Sequence, residues 1–414
     1  MTPTTDSRDA GKLKMFSALR NRNFRWFWLN GAAQAMAQGM QFLTVGILVL
    51  DTTESAYQLG LVIFTYGLPN VLFSLLGGVI ADRTDRVRLL ISTRFAVSAL
   101  ILALAVLKIT DHLEIWHIFT IAFFLGTVQA INMPARMALV ADLVERSDMM
   151  NAVALHSMMN QSGQILGPAL AGGLIEMIGL GPTLFVNAGL YAVGILFLAM
   201  IRGLPAKISG AKMEIFRDLQ AGLQCVRCTP VLYTVIGLAF AFTFFAMSYR
   251  QVLPAFTEEV LDVGAGGTGL LWLGAGLGSL LGSFILATLG DFRRKAWLLV
   301  GTLIILCGFL TLFAWSTWYP ASWVFFFFVG AGSTGLFWPL VNTLVQLNVP
   351  TELRGRVLSI LQIAPGIHFL SALPLAIAGD VIGWPIALTA AAVITLFFAL
   401  WLGVSRPLLR HFED

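Results

Sequence analysis

The sequence predicts an all-α integral membrane protein, with twelve transmembrane helices forming two pseudo-symmetric six-helix halves around a central cavity. Three observations predict it. Of 414 residues, 57% are hydrophobic and only 12% are charged, about half the charged share of a soluble domain. Twelve apolar runs follow one another along the chain, each near the ~20 residues needed to cross a bilayer. Features of the first half also recur in the second at a fixed offset. So apolar a composition excludes a soluble enzyme, a disulfide-rich secreted module and a disordered chain. The runs are long and do not alternate, which disfavours an outer-membrane barrel.

The runs lie near 27–50, 57–81, 89–108, 115–134, 151–175, 183–201, 230–256, 266–289, 296–315, 321–343, 357–379 and 384–404. With alternate connections assigned to opposite sides, one side collects every Lys and Arg except Lys108 and Arg250. Its share includes Arg83, Arg86, Arg88 and Arg94 after the second run, and Arg136 and Arg146 after the fourth. The positive-inside rule makes that side cytoplasmic and puts both termini there. The expected location is the cell inner membrane. The first 26 residues are polar and basic and lead into a spanning segment, so no cleavable signal is expected.

The domain organisation follows. Residues 1–26 form a cytoplasmic N-terminal segment, 27–201 the first six-helix half and 202–229 a cytoplasmic linker. Residues 230–404 form the second half and 405–414 a tail. In the linker, Ile215, Phe216, Leu219 and Leu223 fall at helical spacing among charges, which predicts an amphipathic helix. Cys225 and Cys228 make a C-x-x-C there, without the second ligand pair or βαβ context that a zinc or redox site needs. No metal or cofactor is expected.

The duplication is specific. Gly60-Leu61 (in Leu59-Gly60-Leu61), Gly67 and Asp82 in the first half match Gly269-Leu270, Gly276 and Asp291 in the second, all 209 residues apart. Each Asp opens a basic loop, Asp82-Arg83-Thr84-Asp85-Arg86-Val87-Arg88 and Asp291-Phe292-Arg293-Arg294-Lys295. Pro134 and Pro339 recur about one half-chain apart, as do Asp148-x-x-Asn-Ala-Val and Glu352-x-x-Gly-Arg-Val. Repeated six-helix units are the architecture of transporters whose halves rock about a central site.

The loop Gly77-Gly78-Val79-Ile80-Ala81-Asp82-Arg83-Thr84-Asp85-Arg86 resembles the loop signature of the major facilitator superfamily. Asp85 stands where that signature usually has glycine. This departure, with Asn132-Met133-Pro134-Ala135-Arg136, Asp142-Leu143-Val144 and Asn151-Ala152-Val153-Ala154-Leu155, is similar to the branch of enterobactin-exporter-type and multidrug-exporter-type proteins. The resemblance covers roughly residues 16–405. It implies that Asp82, Arg83 and Arg86, with Asp291 and Arg293 of the second loop, latch the halves together on the cytoplasmic side. Plain topogenic charge is the alternative, and it is the preferred reading for Arg88 and Arg94.

In the fifth run, Gly163-x-x-x-Gly167-Pro168-x-x-x-Gly172-Gly173 sets small residues four apart, which lets helices approach closely. It resembles the superfamily motif associated with exporters and antiporters, and so implies outward transport. Close packing alone also accounts for it.

Polar residues inside the runs complete the candidate site. Asn30, Gln34, Gln38 and Gln41 fall on one helical face, and His156, Asn160 and Gln164 on another. Amides are costly against lipid, so both stripes should face the bundle interior, where they line a water-accessible cavity; interhelical hydrogen bonding without ligand contact is the alternative. Gln129, Gln362 and His368 extend that cavity, Asn132 belongs with them, and Trp338 adds aromatic surface. Arg250 either pairs with an acid such as Glu258 or attracts an anionic substrate. No Asp or Glu lies mid-span. Proton-coupling candidates therefore reduce to His156, His368, Glu176 and Asp380.

The reading is a secondary active exporter of small amphipathic, drug-like or siderophore-like molecules, working by alternating access, with protons as the possible coupling ion. A lipid or lysolipid transporter and a nutrient importer of the same architecture stay open. No nucleophile–base pair or phosphate loop supports an enzyme, and dispersed basic residues give a nucleic-acid role no support. The expected partners are a small-molecule substrate, protons and membrane lipids. The resemblance implies a monomer.

Overall fold

The computed structural model describes residues 14–145, 148–202, 215–289, 295–350 and 353–405, and every long element among them is a helix. The first half comprises α1 (Arg22–Thr53), α2 (Ala56–Arg83), α3 (Arg86–Ile109), α4 (Ile115–Leu143), α5 (Met149–Ile178) and α6 (Leu180–Ala199). The linker helix is α7 (Ile215–Cys228). The second half comprises α8 (Pro230–Ala241) with α9 (Tyr249–Glu259), then α10 (Ala265–Leu289) and α11 (Lys295–Trp315). It continues with α12 (Tyr319–Gly330) and α13 (Trp338–Asn348), α14 (Arg354–Leu361) and α15 (Ala364–Ile382), and α16 (Trp384–Ser405).

Local chemistry starts and stops these helices. The Asn21 side chain accepts from Asn23 N and Phe24 N and caps α1. Asp85, the departure from the loop signature, accepts from Val87 N (3.0 Å) and Arg88 N (3.1 Å) and so caps α3. Gly179 joins α5 to α6 at φ 86°, and Gly383 joins α15 to α16 at φ 85°. At positive φ a Cβ is strained, which calls for glycine. The two lie 204 residues apart, so the duplication extends to turn geometry.

Among the described residues, eleven stretches are long and apolar enough to cross a membrane. The twelfth span is α5. At 30 residues it is as long as the others, but His156, Asn160 and Gln164 lower its hydropathy. The second half carries an interruption that the sequence did not predict. The runs expected at 230–256 and 321–343 are broken by π-helical turns at Phe242–Ala246 and Ala331–Phe337. Met247 N donates to the Phe242 carbonyl at 2.9 Å, the i→i+5 bond of such a turn.

The halves meet along α2 with α15 and α5 with α10. Here small residues bring backbones together. A Cβ on Gly60 would lie 3.1 Å from the Leu373 Cα, and one on Gly269 3.2 Å from the Ala169 Cα. One end of the bundle, called the basic face below, carries the start of α1 and the end of α16. The other, the acidic face, carries Asp51, Glu54, Glu176 and Asp380. The hydrogen bonds between the halves among the described residues lie at the acidic face. There the Tyr57 N–H donates to Asp380 Oδ2 and the Gly266 N–H to Glu176 Oε1, both at 3.1 Å. Each carboxylate caps the first turn of a helix in the opposite half, where the helix dipole favours negative charge. Toward the basic face, no hydrogen bond joins the halves among the described residues.

Two basic residues move from the loops to the interior. Arg94 and Arg136, counted above with the cytoplasmic charges, lie inside α3 and α4 with 2% and 3% of their surface exposed. Each is seven or eight residues from its helix end, a depth of about 10–12 Å. The topogenic reading of Arg94 is therefore corrected: its charge is held inside the bundle and not at the lipid headgroups.

Candidate functional site

A cavity of about 400 Å³, open solvent included, lies between the halves. Gln161, Gln164 and Ile165 of α5 form one wall. Tyr249 and Arg250 of α9, Trp272 and Ser279 of α10, and Phe326, Ser333 and Thr334 of the α12 span form the others. The π turn at Phe242–Ala246 adds one residue ahead of α9, which rotates the following face by about 100°. Arg250 of α9 lines the cavity. Its guanidinium carbon lies 4.7 Å from the Trp272 ring centroid, a cation–π contact. Among the described residues nothing accepts a hydrogen bond from the Arg250 side chain, so the expected pairing with Glu258 does not form. The other lone cation of that side, Lys108, does pair, with Asp51 at 2.6 Å.

A second, more apolar cavity of about 500 Å³ is lined by Gln41, Phe42, Tyr66, Gln251 and Phe369 among others. Phe369 of α15 stacks on Phe42 at 5.8 Å and meets Tyr66 edge-on at 5.0 Å, so aromatic packing closes the interface of the halves beside it.

The polar stripes divide between these cavities and the interior of the first half. Gln34 accepts from Arg94, as does Asn132 at 3.2 Å, and Asn132 in turn donates to Thr93 Oγ1 at 2.9 Å. Asn30 is buried beside Gly194 of α6. Gln41 accepts from Tyr191 Oη at 2.7 Å while also lining the second cavity. The stripe expected to line the cavity is thus corrected in part: Asn30 and Gln34 face neighbouring helices of their own bundle. For Gln34, interhelical satisfaction wins because an amide left dry inside the bundle is costly, whereas the buried Asn30 Oδ1 has no hydrogen-bond partner among the described residues. Gln38 and Gln129 are partly buried and Gln362 is exposed, at the break between α14 and α15.

Arg136 donates to Asn160 Oδ1 at 3.0 Å and lies 3.1 Å from His156 Nε2, which Asn160 Nδ2 also approaches at 3.0 Å. Two donors thus face Nε2, so this nitrogen accepts and the ring proton sits on Nδ1. His156 stacks on Phe27 at 5.8 Å. A proton reaching Nε2 must displace Arg136, which makes His156 a structural acceptor. Gln164 lines the first cavity. His368 lies against Phe369, and Trp338 packs partly buried against the core of the second half.

The glycines of the fifth run sit at contacts on two sides. A Cβ on Gly163 or Gly167 would strike α1 at Ala35 or Gly39, and one on Gly172 would strike the Ala265 carbonyl of α10. Pro168 lies between, beside Gly39 and Gly269. The loop residues are placed less fully. Arg86 pairs with Asp142 and donates to the Ala138 carbonyl at 3.3 Å, bonds inside the first half that tie α3 to α4. Arg83 is exposed. The Asp82 side chain, Asp291 and Arg293 lie outside the described residues. Sequence reasoning missed the contributions of Arg94, Arg136 and Tyr191. Depth in the run was no clear signal, because Arg136 falls just past the fourth apolar run and Arg94 near the start of the third; both stand about two turns inside their helices only because α3 and α4 extend beyond those runs.

The sequence matches the Major Facilitator Superfamily over residues 27–369. The chain belongs to this superfamily. A relative is the macrolide efflux protein A of Streptococcus pyogenes, 20% identical over 81% of this chain and 84% of that protein. Another is the staphyloferrin A transporter of Staphylococcus aureus, 26% identical over 81% and 84%. In fold the chain is similar to the nucleoside transporter NupG, with a TM-score of 0.74, 11% identity, and coverage of 94% of this chain and 99% of that one. This major facilitator protein is a multi-pass membrane transporter of a small-molecule substrate, and not an enzyme.

Proposed function

We propose that the protein exports small amphipathic molecules, drug-like or siderophore-like, from the cytoplasm by alternating access. The basic face is the cytoplasmic one. One observation carries this reading: the halves close at the acidic face over a cavity that combines a cation and amides with aromatic walls. Such a lining suits a molecule with a polar head and an apolar body. The relative named for macrolide efflux supports the outward direction.

Export runs in exchange for protons through Glu176 and Asp380. Each holds the opposite half by a single cap, and each sits where a proton from outside arrives first. A protonated carboxyl loses the charge that the helix dipole favours, so protonation loosens the closed face. Asp82, Arg83 and Arg86, with Asp291 and Arg293, close the cytoplasmic side in the opposite state. Comparing metabolites released by cells with and without the protein tests the direction. At least one amphipathic solute should rise outside the cells, and less of it once the proton gradient is collapsed. Accumulation inside the cells would assign import, and indifference to the gradient would remove the proton step.

A further inference from the structure

We propose that the cavity at Arg250 takes the anionic head of an amphipathic molecule, a carboxylate or similar acid, with Arg250 as its charge partner. The inference rests on reading this cavity as the substrate's path, and it names the substrate's charge.

The charge balance of the interior points this way. Arg94, Arg136 and Arg250 all lie inside the bundle. The partners of Arg94 and Arg136 are amides and an imidazole, which satisfy hydrogen bonds but supply no negative charge. Among the described residues the ion pairs are Arg86–Asp142, Arg88–Asp85 and Lys108–Asp51, and none involves these three. No carboxylate lines the cavity.

Of the three, Arg250 is the one a ligand meets. Arg94 and Arg136 are buried and hydrogen-bonded, whereas Arg250 is partly exposed and lines the cavity. Trp272 covers the face of its guanidinium. The edge, with its N–H donors, stays free to bind a carboxylate in bidentate fashion. Gln164 and Thr334 stand on the same cavity as further polar contacts, and Ile165, Trp272 and Phe326 give the apolar body a wall. A cationic head would enter against three like charges. A neutral head would leave the guanidinium dry and unpaired when the cavity closes, which is costly in a low-dielectric bundle. An anion satisfies it.

Three probes with one apolar body test this on the purified full-length protein in detergent: dansylglycine (carboxylate), dansylglycinamide (neutral) and dansylcadaverine (cation). Fluorescence titration should give dansylglycine the lowest Kd, by about ten-fold or more over the amide, as a charge-assisted bidentate contact warrants. Arg250→Met should remove that preference, bringing the Kd of dansylglycine to that of the amide or above it. Arg250→Lys should keep the sign of the preference, because the charge remains. Equal or tighter binding of the amide or the cation by the unmodified protein would overturn the proposal, even if Arg250→Met does not fold. Carboxylate preference persisting in a folded Arg250→Met would do the same. Displacement of bound dansylglycine by lysophosphatidylglycerol assigns the anion to a lipid, and its failure assigns it to a free solute; both keep the anion site. Binding in detergent is independent of transport direction, so anion preference with inward accumulation in cells would overturn the export reading alone.

Discussion

The two halves share one backbone plan and opposite interiors. Arg94 of α3 corresponds, at the 209-residue offset, to Leu303 of α11, which is fully buried. Pro134 and Pro339 are 205 residues apart, and at that offset Asn132 corresponds to Phe337 and Arg136 to Val341. Asp148 and Glu352 are 204 apart, which sets His156 against Ile360. Thr93 keeps a threonine, Thr302, at its offset, whereas Arg94, Asn132, Arg136 and His156 of the first half correspond to buried apolar residues in the second. There, packed rings such as Phe256, Phe313 and Phe326 fill the space, with centroids 4.7–4.8 Å apart. Duplication preserves what the bilayer demands, namely helix length, turns and small residues at contacts. It leaves interior chemistry free to diverge, and the divergence makes a central cavity with two unlike walls.

Exchanging residues between the halves is the strongest way to break this comparison. Leu303→Arg inserts an unpaired cation among apolar side chains, at a cost of at least several kcal/mol. We expect no monodisperse protein on size exclusion in detergent; recovery at the level of the unmodified chain would mean that the second half tolerates the first half's chemistry. The reverse exchange, Arg94→Leu, takes the donor from Gln34 and Asn132 and should cost about 3 kcal/mol. It is read as a lowered unfolding midpoint, and adding Gln34→Leu should recover part of the loss. Strict additivity of the two would show that the pair is not coupled.

A smaller contrast lies within α5. Gly167→Ala forces a methyl into the α1 backbone and should destabilise by about 1–3 kcal/mol. Gly173 has nothing within 4 Å of its Cβ position, so Gly173→Ala should lie within about 0.5 kcal/mol of the parent. Thermal shifts that rank the two the other way would refute the packing assignment.

The acidic-face caps sharpen the comparison from the side of symmetry. Glu176→Gln and Asp380→Asn each remove one charge from a helix N terminus, worth about 1 kcal/mol or less. Both should raise, a few-fold and equally, thiol labelling of an Ala275→Cys probe from the acidic face in a background without native cysteines. Unequal effects would show that the caps, like the interiors, have diverged.

Much of the fold was legible before the structure. The spans, the duplication and the linker helix follow from hydropathy and spacing, because a bilayer imposes length and composition on every helix it holds. Part of the site was legible too. Gln164 and Arg250 line a cavity, and the glycines of the fifth run lie at helix contacts. Asn30 and Gln34 misled because periodicity reports the polar face of a helix and not whether a neighbour or a cavity lies opposite it. Arg94 and Arg136 misled because a basic residue near a span end reads as a loop charge.

The sequence by itself determined twelve helices, their pairing into two halves and the gathering of positive charge at one face. Those properties come from local composition acting against a uniform solvent. Only the tertiary structure decided which polar groups satisfy one another, where Arg250 points and which face is closed. These depend on the rotation of each helix about its axis, which a π turn changes by about 100° per added residue, and on contacts between residues a half-chain apart.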